Sequence, residues 1–266
     1  MWHRIETVTA VVVSVLALVL SQLPPLHTYF SKPGIAISLP SRPVISHRFG
    51  HLYAYCFVQA FNQGNAAGRI QNMRLYITKK DSGGTKQVLT ATSIRDYSNA
   101  RERIRPLDLP LGEVTVQPGQ NWQAEVIFTP AMSTKDEEEV ARFEDEIFSQ
   151  IRLSGKPNII DRDLYKEISE YSRAHLTSVT TGEYYLLLVA TEAGPRKDHL
   201  LLYSFSIYDF DLRELGRITE KYRVGYGVTS FNDVYNLGFQ AKIEPINDYT
   251  TIERVHKRCE AVIQAQ

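Results

Sequence analysis

Apolar residues run without charge through an N-terminal segment of this chain, and they alternate with polar residues through most of the rest. The uncharged segment is Thr7–Leu26, TVTAVVVSVLALVLSQLPPL. At about 1.5 Å of rise per residue, about twenty helical residues cover the roughly 30 Å hydrocarbon core of a bilayer. Pro24 and Pro25 lack backbone donors and mark the end of such a helix. We therefore predict a tail over 1–6 and a transmembrane helix over 7–26.

The predicted anchor consists mainly of valine and leucine. The residues predicted to form the membrane anchor are Val8, Val11, Val12, Val15, Leu16, Leu18, Val19, Leu20 and Leu23. A cleaved signal peptide is one alternative, although no A-x-A cleavage site follows the apolar run. A buried core helix is another, and it fits less well because the segment is apolar on all sides. The few nearby Lys and Arg residues leave the membrane side of the body undetermined, with a slight lean to the cytoplasm.

A linker and a first strand are expected over 27–47, and period-two alternation dominates after them. His51–Phe61 is apolar on both faces, which indicates a central strand. The turn chemistry of Asn62–Asn65 and the alternation of Arg69–Lys79 predict a hairpin. Further strands are predicted at Lys86–Ile94, Glu113–Gln117, around Trp122–Thr129, at Glu183–Thr191 and at Leu200–Tyr208. Short turns at this spacing favour a mainly β fold, an antiparallel immunoglobulin-like β-sandwich over 48–248.

Helical periodicity interrupts the strands at 133–176. Ser133 precedes a run of acidic residues, which is the order of a capped helix N-terminus. Asp161 is predicted to cap a second helix. We interpret 133–176 as a helical insertion in the sandwich, and a split into two domains near Pro130 is the alternative. A C-terminal helix is predicted over 249–266, because its apolar residues recur at the spacing of a packed stripe.

One pair of segments carries a family resemblance. The anchor VSVLALVLSQLPPL, followed by FVQAFNQGNAAGRIQNMRLYI, resembles bacterial single-pass membrane proteins of uncharacterised function that place an immunoglobulin-like β-domain after an N-terminal anchor. The matching features are Asn62 and Gly64 in the turn, Gly68, and the strand that follows. The resemblance implies a sandwich fold and a membrane address. It supplies no active-site residues.

Composition excludes several classes of function. The chain of 266 residues carries 30 Lys and Arg against 30 Asp and Glu, so no basic field attracts nucleic acid. Two cysteines, Cys56 and Cys259, are too few for a disulfide scaffold. The sequence contains neither a G-x-S-x-G elbow nor a glycine-rich phosphate loop. We expect no cofactor.

Three groups of side chains are candidates for metal or catalytic sites. His47 and His51 are four residues apart, but the glycine between them favours a loop that enters a strand. His256 and Cys259 lie three apart on the last helix, where Cys259 belongs to the apolar stripe. The acidic run 136–139 is best interpreted as the solvated start of a helix. We therefore predict no metal or catalytic residues.

Arg101, Arg103 and Arg105 occupy alternate positions and would share one face of an extended strand. They are the candidate contact for an anion or an acidic partner. A solvated edge strand that discourages edge-to-edge pairing explains the same pattern.

The resulting hypothesis is a non-enzymatic recognition or assembly module, anchored in the cell membrane by a single pass. Its partners would be the bilayer and another protein, to which the sandwich presents its helical insertion. One alternative is an accessory subunit of a larger membrane complex, in which the small residues Ala10, Ser14, Ala17 and Ser21 let the anchor pack against other helices. Another is a membrane-tethered hydrolase whose acids and histidines meet only in the fold.

Overall fold

The computed structural model describes residues 32–81, 86–96, 107–153, 159–194, 197–225 and 238–263. The membrane helix predicted over 7–26 lies outside these residues, and so do all the valines and leucines assigned to the anchor. Arg101, Arg103 and Arg105 also lie outside them. Within the described ranges, no helix combines the length and the apolar character needed to span a bilayer.

The described strands join into one antiparallel sheet. They are β1 Ile35–Ser38, β2 Val44–Arg48, β3 His51–Asn62, β4 Gly68–Lys79, β5 Lys86–Asp96, β6 Leu107–Pro110, β7 Val114–Val116, β8 Asn121–Pro130, β9 Gly182–Glu192, β10 Lys197–Ile207, β11 Phe239–Gln240 and β12 Glu244–Ile246. Their order is β11-β2-β3-β8-β5-β4-β9-β10-β12, while β1, β6 and β7 pair with β3, β5 and β4. The prediction of a mainly β, antiparallel fold is confirmed.

The described strands do not divide into the two separate sheets of the predicted immunoglobulin-like sandwich. The long strand β3 pairs with β1 and β2 along one edge and with β8 along the other. Through such long strands the ladder continues without a break, and the natural twist of the strands curls it. As a result β1 lies against β10, and the backbone of Leu39 is hydrogen-bonded to the Tyr203 hydroxyl. Alternation along a strand sets its two faces, but it leaves its pairing partners open.

In the described ranges, four α-helices accompany the sheet: α1 Thr134–Leu153, α2 Arg162–Leu176, α3 Asp209–Lys221 and α4 Tyr249–Ile263. The sequence predicted α1, α2 and α4. The Asp161 carboxylate caps α2 as expected, accepting hydrogen bonds from the backbone N–H groups of Asp163 and Leu164. We did not predict α3, because its acidic residues follow a strand directly. Its start is fixed by Asp211, whose side chain accepts a bond from the Tyr208 N–H at 2.8 Å.

The helices bury apolar stripes on both faces of the sheet. The first three pack on the main core inside the curl, with Phe143 from α1, Ile168 from α2 and Leu215 from α3 among the buried residues. Full burial of such side chains stabilises the fold by about 1.5–3 kcal/mol each. The helix α4 packs on the outer face, where Val255 and Cys259 join a second buried cluster. The helices α1 and α2 therefore complete the core as well as forming a surface.

The hairpin between β2 and β3 positions several polar side chains. Its two turn residues, Phe49 and Gly50, have φ angles of 49° and 92°, as in a tight turn of type I′. Phe49 is buried, and its ring stacks on Tyr222 with centroids 4.4 Å apart. A Cβ atom on Gly50 would lie only 2.5 Å from the carbonyl oxygen of Ser172. The turn therefore lies directly on α2, and it places His51 beside that helix.

Candidate functional site

A groove of about 550 Å³ lies between α2 and α3. Its volume falls within the range of small-ligand sites, about 300–1,000 Å³. Apolar side chains form its floor, namely Leu176, Val179, Leu212 and Leu215. Three arginines line it as well: Arg173 from α2, and Arg213 and Arg217 from α3. We call this feature the arginine groove.

The arginine groove carries more positive than negative charge. Arg217 forms an ion pair with Glu214, its neighbour on α3. Arg173 and Arg213 are exposed, and no carboxylate among the described residues pairs with either of them. Among the described residues that line the groove, Glu220 is the one acidic residue. The excess of positive charge over an apolar floor favours a ligand with both anionic and apolar parts.

A glycine opens the groove. Gly216 lies inside α3, where glycine costs about 1 kcal/mol of stability relative to alanine. No atom of the described part of the chain lies within 4 Å of the position that its Cβ would occupy. Backbone packing therefore does not demand glycine at this position, and its missing side chain leaves space in the groove.

The opposite side of α2 contacts the β2–β3 hairpin and the first turn of α1. There His51, Asp136 and His175 bring their ligand atoms within 4.8 Å of one another. The Tyr171 hydroxyl lies 3.0 Å from His51 Nε2 and 3.1 Å from Asp136 Oδ1. The rings of His51 and His175 have centroids 4.3 Å apart. We call these four side chains the hairpin cluster.

The surroundings of the hairpin cluster set its protonation. Burial lowers the pKa of His51, and the neighbouring His175 lowers it further. The hydrogen bond from Ser133 lowers the pKa of Asp136, and that from Tyr171 adds to the effect. Burial, together with the bond to Asp136, raises the pKa of Tyr171. At neutral pH the cluster therefore contains a neutral His51, a neutral phenol and an ionised carboxylate.

The structure separates the two histidines considered together in the sequence. His47 is fully buried, and its Nδ1 accepts a hydrogen bond of 3.0 Å from the Gly50 N–H. Its Nε2–H consequently donates to the carbonyl oxygen of Leu215 at 2.8 Å. Burial lowers the pKa of His47 to about 4. Both nitrogens are thus occupied, and His47 connects the hairpin to α3, whereas His51 belongs to the hairpin cluster.

The structure also places the members of the other two candidate groups in different surroundings. Within the acidic run 136–139, Asp136 faces the hairpin cluster, while Glu139 pairs with Arg142 at 2.6 Å. His256 lies near Glu260 and Asp198, and these three form a second group of ligand atoms within 4.8 Å. Cys259 is instead buried in the outer core, as the apolar stripe predicted.

Sequence reasoning missed both the groove and the full hairpin cluster. The groove depends on α3, which we did not predict. The cluster joins residues more than 100 positions apart, as the contact between His51 and Tyr171 shows. One signal was present in the sequence, since Tyr171 and His175 are four residues apart and share a face of a predicted helix.

Comparisons with known proteins add no assignment. No protein-family model and no curated protein matches the chain. A protein from Archaeoglobus fulgidus is 8% identical with a TM-score of 0.25, over 67% of this chain and 95% of that one. The sporulation control protein Spo0M from Bacillus subtilis is 12% identical with a TM-score of 0.18, over 87% and 97%. The β-glucosidase EmGH1 from Erythrobacter marinus is 13% identical with a TM-score of 0.26, over 66% of this chain and 16% of that one.

Matches at such TM-scores carry no argument about fold or function. The resemblance to bacterial single-pass membrane proteins therefore stays a prediction.

Proposed function

We propose that this chain is a non-enzymatic recognition module, anchored in the membrane through 7–26, which binds an acidic, amphipathic segment of a partner protein in the arginine groove. One observation carries the proposal. Two exposed arginines, Arg173 and Arg213, lie beside an apolar floor without a carboxylate partner among the described residues.

The chemistry of the groove suits such a segment. A guanidinium binds a carboxylate through two parallel hydrogen bonds, which adds geometric specificity to charge attraction. The leucines and valine of the floor offer a surface for the apolar side chains of the same segment. A tether would raise the effective concentration of the body near partners in the same membrane. Arg101, Arg103 and Arg105, for which the sequence suggested the same kind of contact, lie outside the described residues and stay a prediction.

Binding of a defined peptide tests the groove. The probe is a fluorescent peptide of alternating leucine and glutamate pairs, titrated with full-length protein in detergent and followed by anisotropy. We expect saturable binding that weakens with salt, and at least a tenfold loss of affinity in Arg173→Glu, because a charge is reversed. Gly216→Leu should reduce binding similarly, since it fills the groove without changing any charge.

The matched control is Arg162→Glu, which reverses an exposed charge at the start of the same helix, outside the groove. It should bind the peptide like the natural protein. Equal losses in Arg173→Glu and Arg162→Glu would show that net charge, rather than the groove, attracts the peptide. Circular dichroism of each variant verifies the fold.

The anchor needs a separate test. A variant that lacks residues 1–31 should move from the membrane fraction to the supernatant after ultracentrifugation, because the hydrophobic segment is removed. A truncated protein that stays with the membranes would contradict tethering. The proposal of an accessory subunit predicts in addition that leucine at Ala10, Ser14 and Ala17 abolishes co-purification with partners.

One observation favours the alternative of a tethered hydrolase. Such a site needs at least two titratable side chains within hydrogen-bonding reach, and the hairpin cluster contains them. Hydrolysis of a panel of activated esters and phosphoesters, lost in Asp136→Asn, would support this second proposal. No turnover by the natural protein on the panel would count against it.

A further inference from the structure

The hairpin cluster combines side chains from three separate elements. His51 opens β3 after the strained turn, Asp136 lies in the first turn of α1, and Tyr171 and His175 lie in the last turns of α2. The ligand atoms of His51, Asp136 and His175 all lie within 4.8 Å of one another. Two histidines with one carboxylate form a ligand set used by zinc and by non-haem iron sites.

A hydrogen bond to the backbone shows that Nδ1 of His175 carries a proton. Its Nδ1 lies 2.9 Å from the carbonyl oxygen of Tyr171. A carbonyl oxygen only accepts, so Nδ1 carries the proton and donates. In the neutral ring, Nε2 then presents a lone pair to Asp136 Oδ1, which lies 3.5 Å away. A cation between Nε2 of this neutral ring and Oδ1 would be bound by both atoms.

Asp136 is oriented in the same manner. Its Oδ2 accepts a hydrogen bond of 2.7 Å from the Ser133 hydroxyl, and this leaves Oδ1 facing the cluster. Metal-binding histidines and carboxylates are commonly held by such a bond on the atom that does not bind the metal. Both His175 and Asp136 show this second bond in the structure.

The spacing of the cluster suits a first-row transition metal. Ligand atoms at about 2.0–2.1 Å from a tetrahedral zinc lie about 3.3 Å from one another. Among the proposed ligands, Asp136 Oδ1 and His175 Nε2 are 3.5 Å apart, and the ligand nitrogen of His51 lies within 4.8 Å of both. The Tyr171 hydroxyl lies beside the group, 3.0 Å from His51 Nε2 and 3.1 Å from Asp136. The side chains of Asp136 and His175 are 29% and 30% exposed, which leaves an entry path for an ion.

We propose that His51 Nε2, Asp136 Oδ1 and His175 Nε2 bind a divalent transition-metal ion, for which Zn²⁺ is the reference. The Tyr171 hydroxyl adjoins the ion. When no ion is bound, Tyr171 donates to Asp136 and accepts from the Nε2–H of His51. Metal binding moves that histidine proton to Nδ1, so the ring stays neutral and its Nε2 lone pair becomes available. The site is independent of the arginine groove.

A second group of the same residue types provides the control. Asp198, His256 and Glu260 also lie within 4.8 Å of one another. Their contacts have ordinary explanations, since His256 and Glu260 are an i,i+4 pair on α4, and Asp198 accepts a 2.8 Å bond from Thr191. Removal of His256 therefore changes a similar group without touching the hairpin cluster.

The experiment is calorimetric titration of the full chain in detergent, stripped with chelator, using Zn²⁺ alone as the probe. We expect one tight site per chain, an affinity at least tenfold lower in His51→Ala and in His175→Ala, and no change in His256→Ala. A natural protein that takes up no Zn²⁺ would overturn the proposal. Loss of binding in His256→Ala, with His175→Ala unaffected, would also overturn it.

A second measurement needs no variant and therefore does not depend on how well a variant folds. Diethyl pyrocarbonate modifies accessible histidines, and mass spectrometry reports the rate at each position. Zn²⁺ should slow the modification of His51 and His175 at least tenfold and leave the rate at His256 unchanged. Equal rates at His51 and His175 with and without Zn²⁺ would contradict the proposal.

Discussion

The two sides of α2 are built differently. On the side of the hairpin cluster, Tyr171 donates to Asp136, His175 Nδ1 donates to the Tyr171 carbonyl oxygen, and a tight turn lies directly on the helix. On the side of the arginine groove, Arg173 is exposed beside apolar residues and beside Gly216, whose added Cβ would meet no described atom within 4 Å. The first side is closely packed and polar, while the second is open and charged.

The comparison shows how one helix can present two kinds of chemistry. Tight packing against the hairpin holds several ligand atoms within a few ångströms, as a bound ion requires. On the open side, two arginines have no carboxylate partner among the described residues, as expected of a surface that binds an anionic partner. Substitutions on the closed side should therefore change stability, and those on the open side should change binding.

The largest expected effect is at Gly50. In Gly50→Ala the new Cβ would meet the backbone of Ser172 at 2.5–2.8 Å, and alanine resists a φ of 92°. We expect a loss of about 3 kcal/mol or more in the free energy of unfolding, measured by urea denaturation. The control is Gly119→Ala, where φ is 70° but no atom lies within 4 Å. A loss of only about 1 kcal/mol in Gly119→Ala would show that most of the effect in Gly50→Ala comes from the contact with α2 rather than from backbone strain.

The next effect concerns His47 and pH. Its folded-state pKa of about 4 lies below the unfolded value of 6.5, so the unfolded chain binds the extra proton first. The stability is complete above about pH 6.5 and is lost as pH falls towards 4. Between pH 7.5 and 5 the loss from this residue should be about 2 kcal/mol. His47→Gln should show a correspondingly smaller pH dependence. The same slope in both proteins would refute the assignment.

The capping of α2 gives a smaller effect. Asp161→Ala removes the side-chain bonds to the backbone of Asp163 and Leu164 and should cost about 1 kcal/mol. Asp163→Ala, two residues further on, should cost only a few tenths of a kcal/mol, because it alters charge near the helix end without removing a cap. Thermal unfolding of both variants measures the difference, and equal costs would contradict the assigned cap.

The smallest effect has the opposite sign. Gly216→Ala should stabilise the protein by up to about 1 kcal/mol, because alanine favours the helix and meets no atom. The same substitution narrows the groove, so peptide affinity should fall while stability rises. A variant that becomes less stable would show that the space beside Gly216 is filled in solution.

The sequence predicts local elements better than their assembly. Alternation in β3 and β4 and the cap at Asp161 appear directly in the order of residues, and the structure confirms these elements. The pairing of β3 with β8 and the contact of Gly50 with α2 depend on long-range packing, which a single sequence does not encode visibly. The described strands therefore form one curled sheet where the sequence predicted a sandwich, and of the hairpin cluster the sequence singled out only His51 and the acidic run that contains Asp136.

The candidate site was hard to predict for a related reason. Arg173 is a basic residue in the last turn of α2, a position where cations are common because they interact favourably with the helix dipole. Arg173 lines a groove only because α3 lies beside it. The sequence between β10 and α3 lacks the turn signals that usually separate elements. The helix could still have been recognised, since Leu212, Leu215 and Ile218 recur at helical spacing.

Site-specific photo-crosslinking in intact cells tests the central claim, that the arginine groove binds an acidic partner segment, most directly. A photoreactive residue at Thr219 lies in the groove, and one at the exposed Lys166 lies on α2 outside it. The account predicts a discrete adduct from Thr219 that maps to an acidic segment of one protein and disappears with Arg173→Glu. The same adducts from both positions, or none from Thr219, would contradict it.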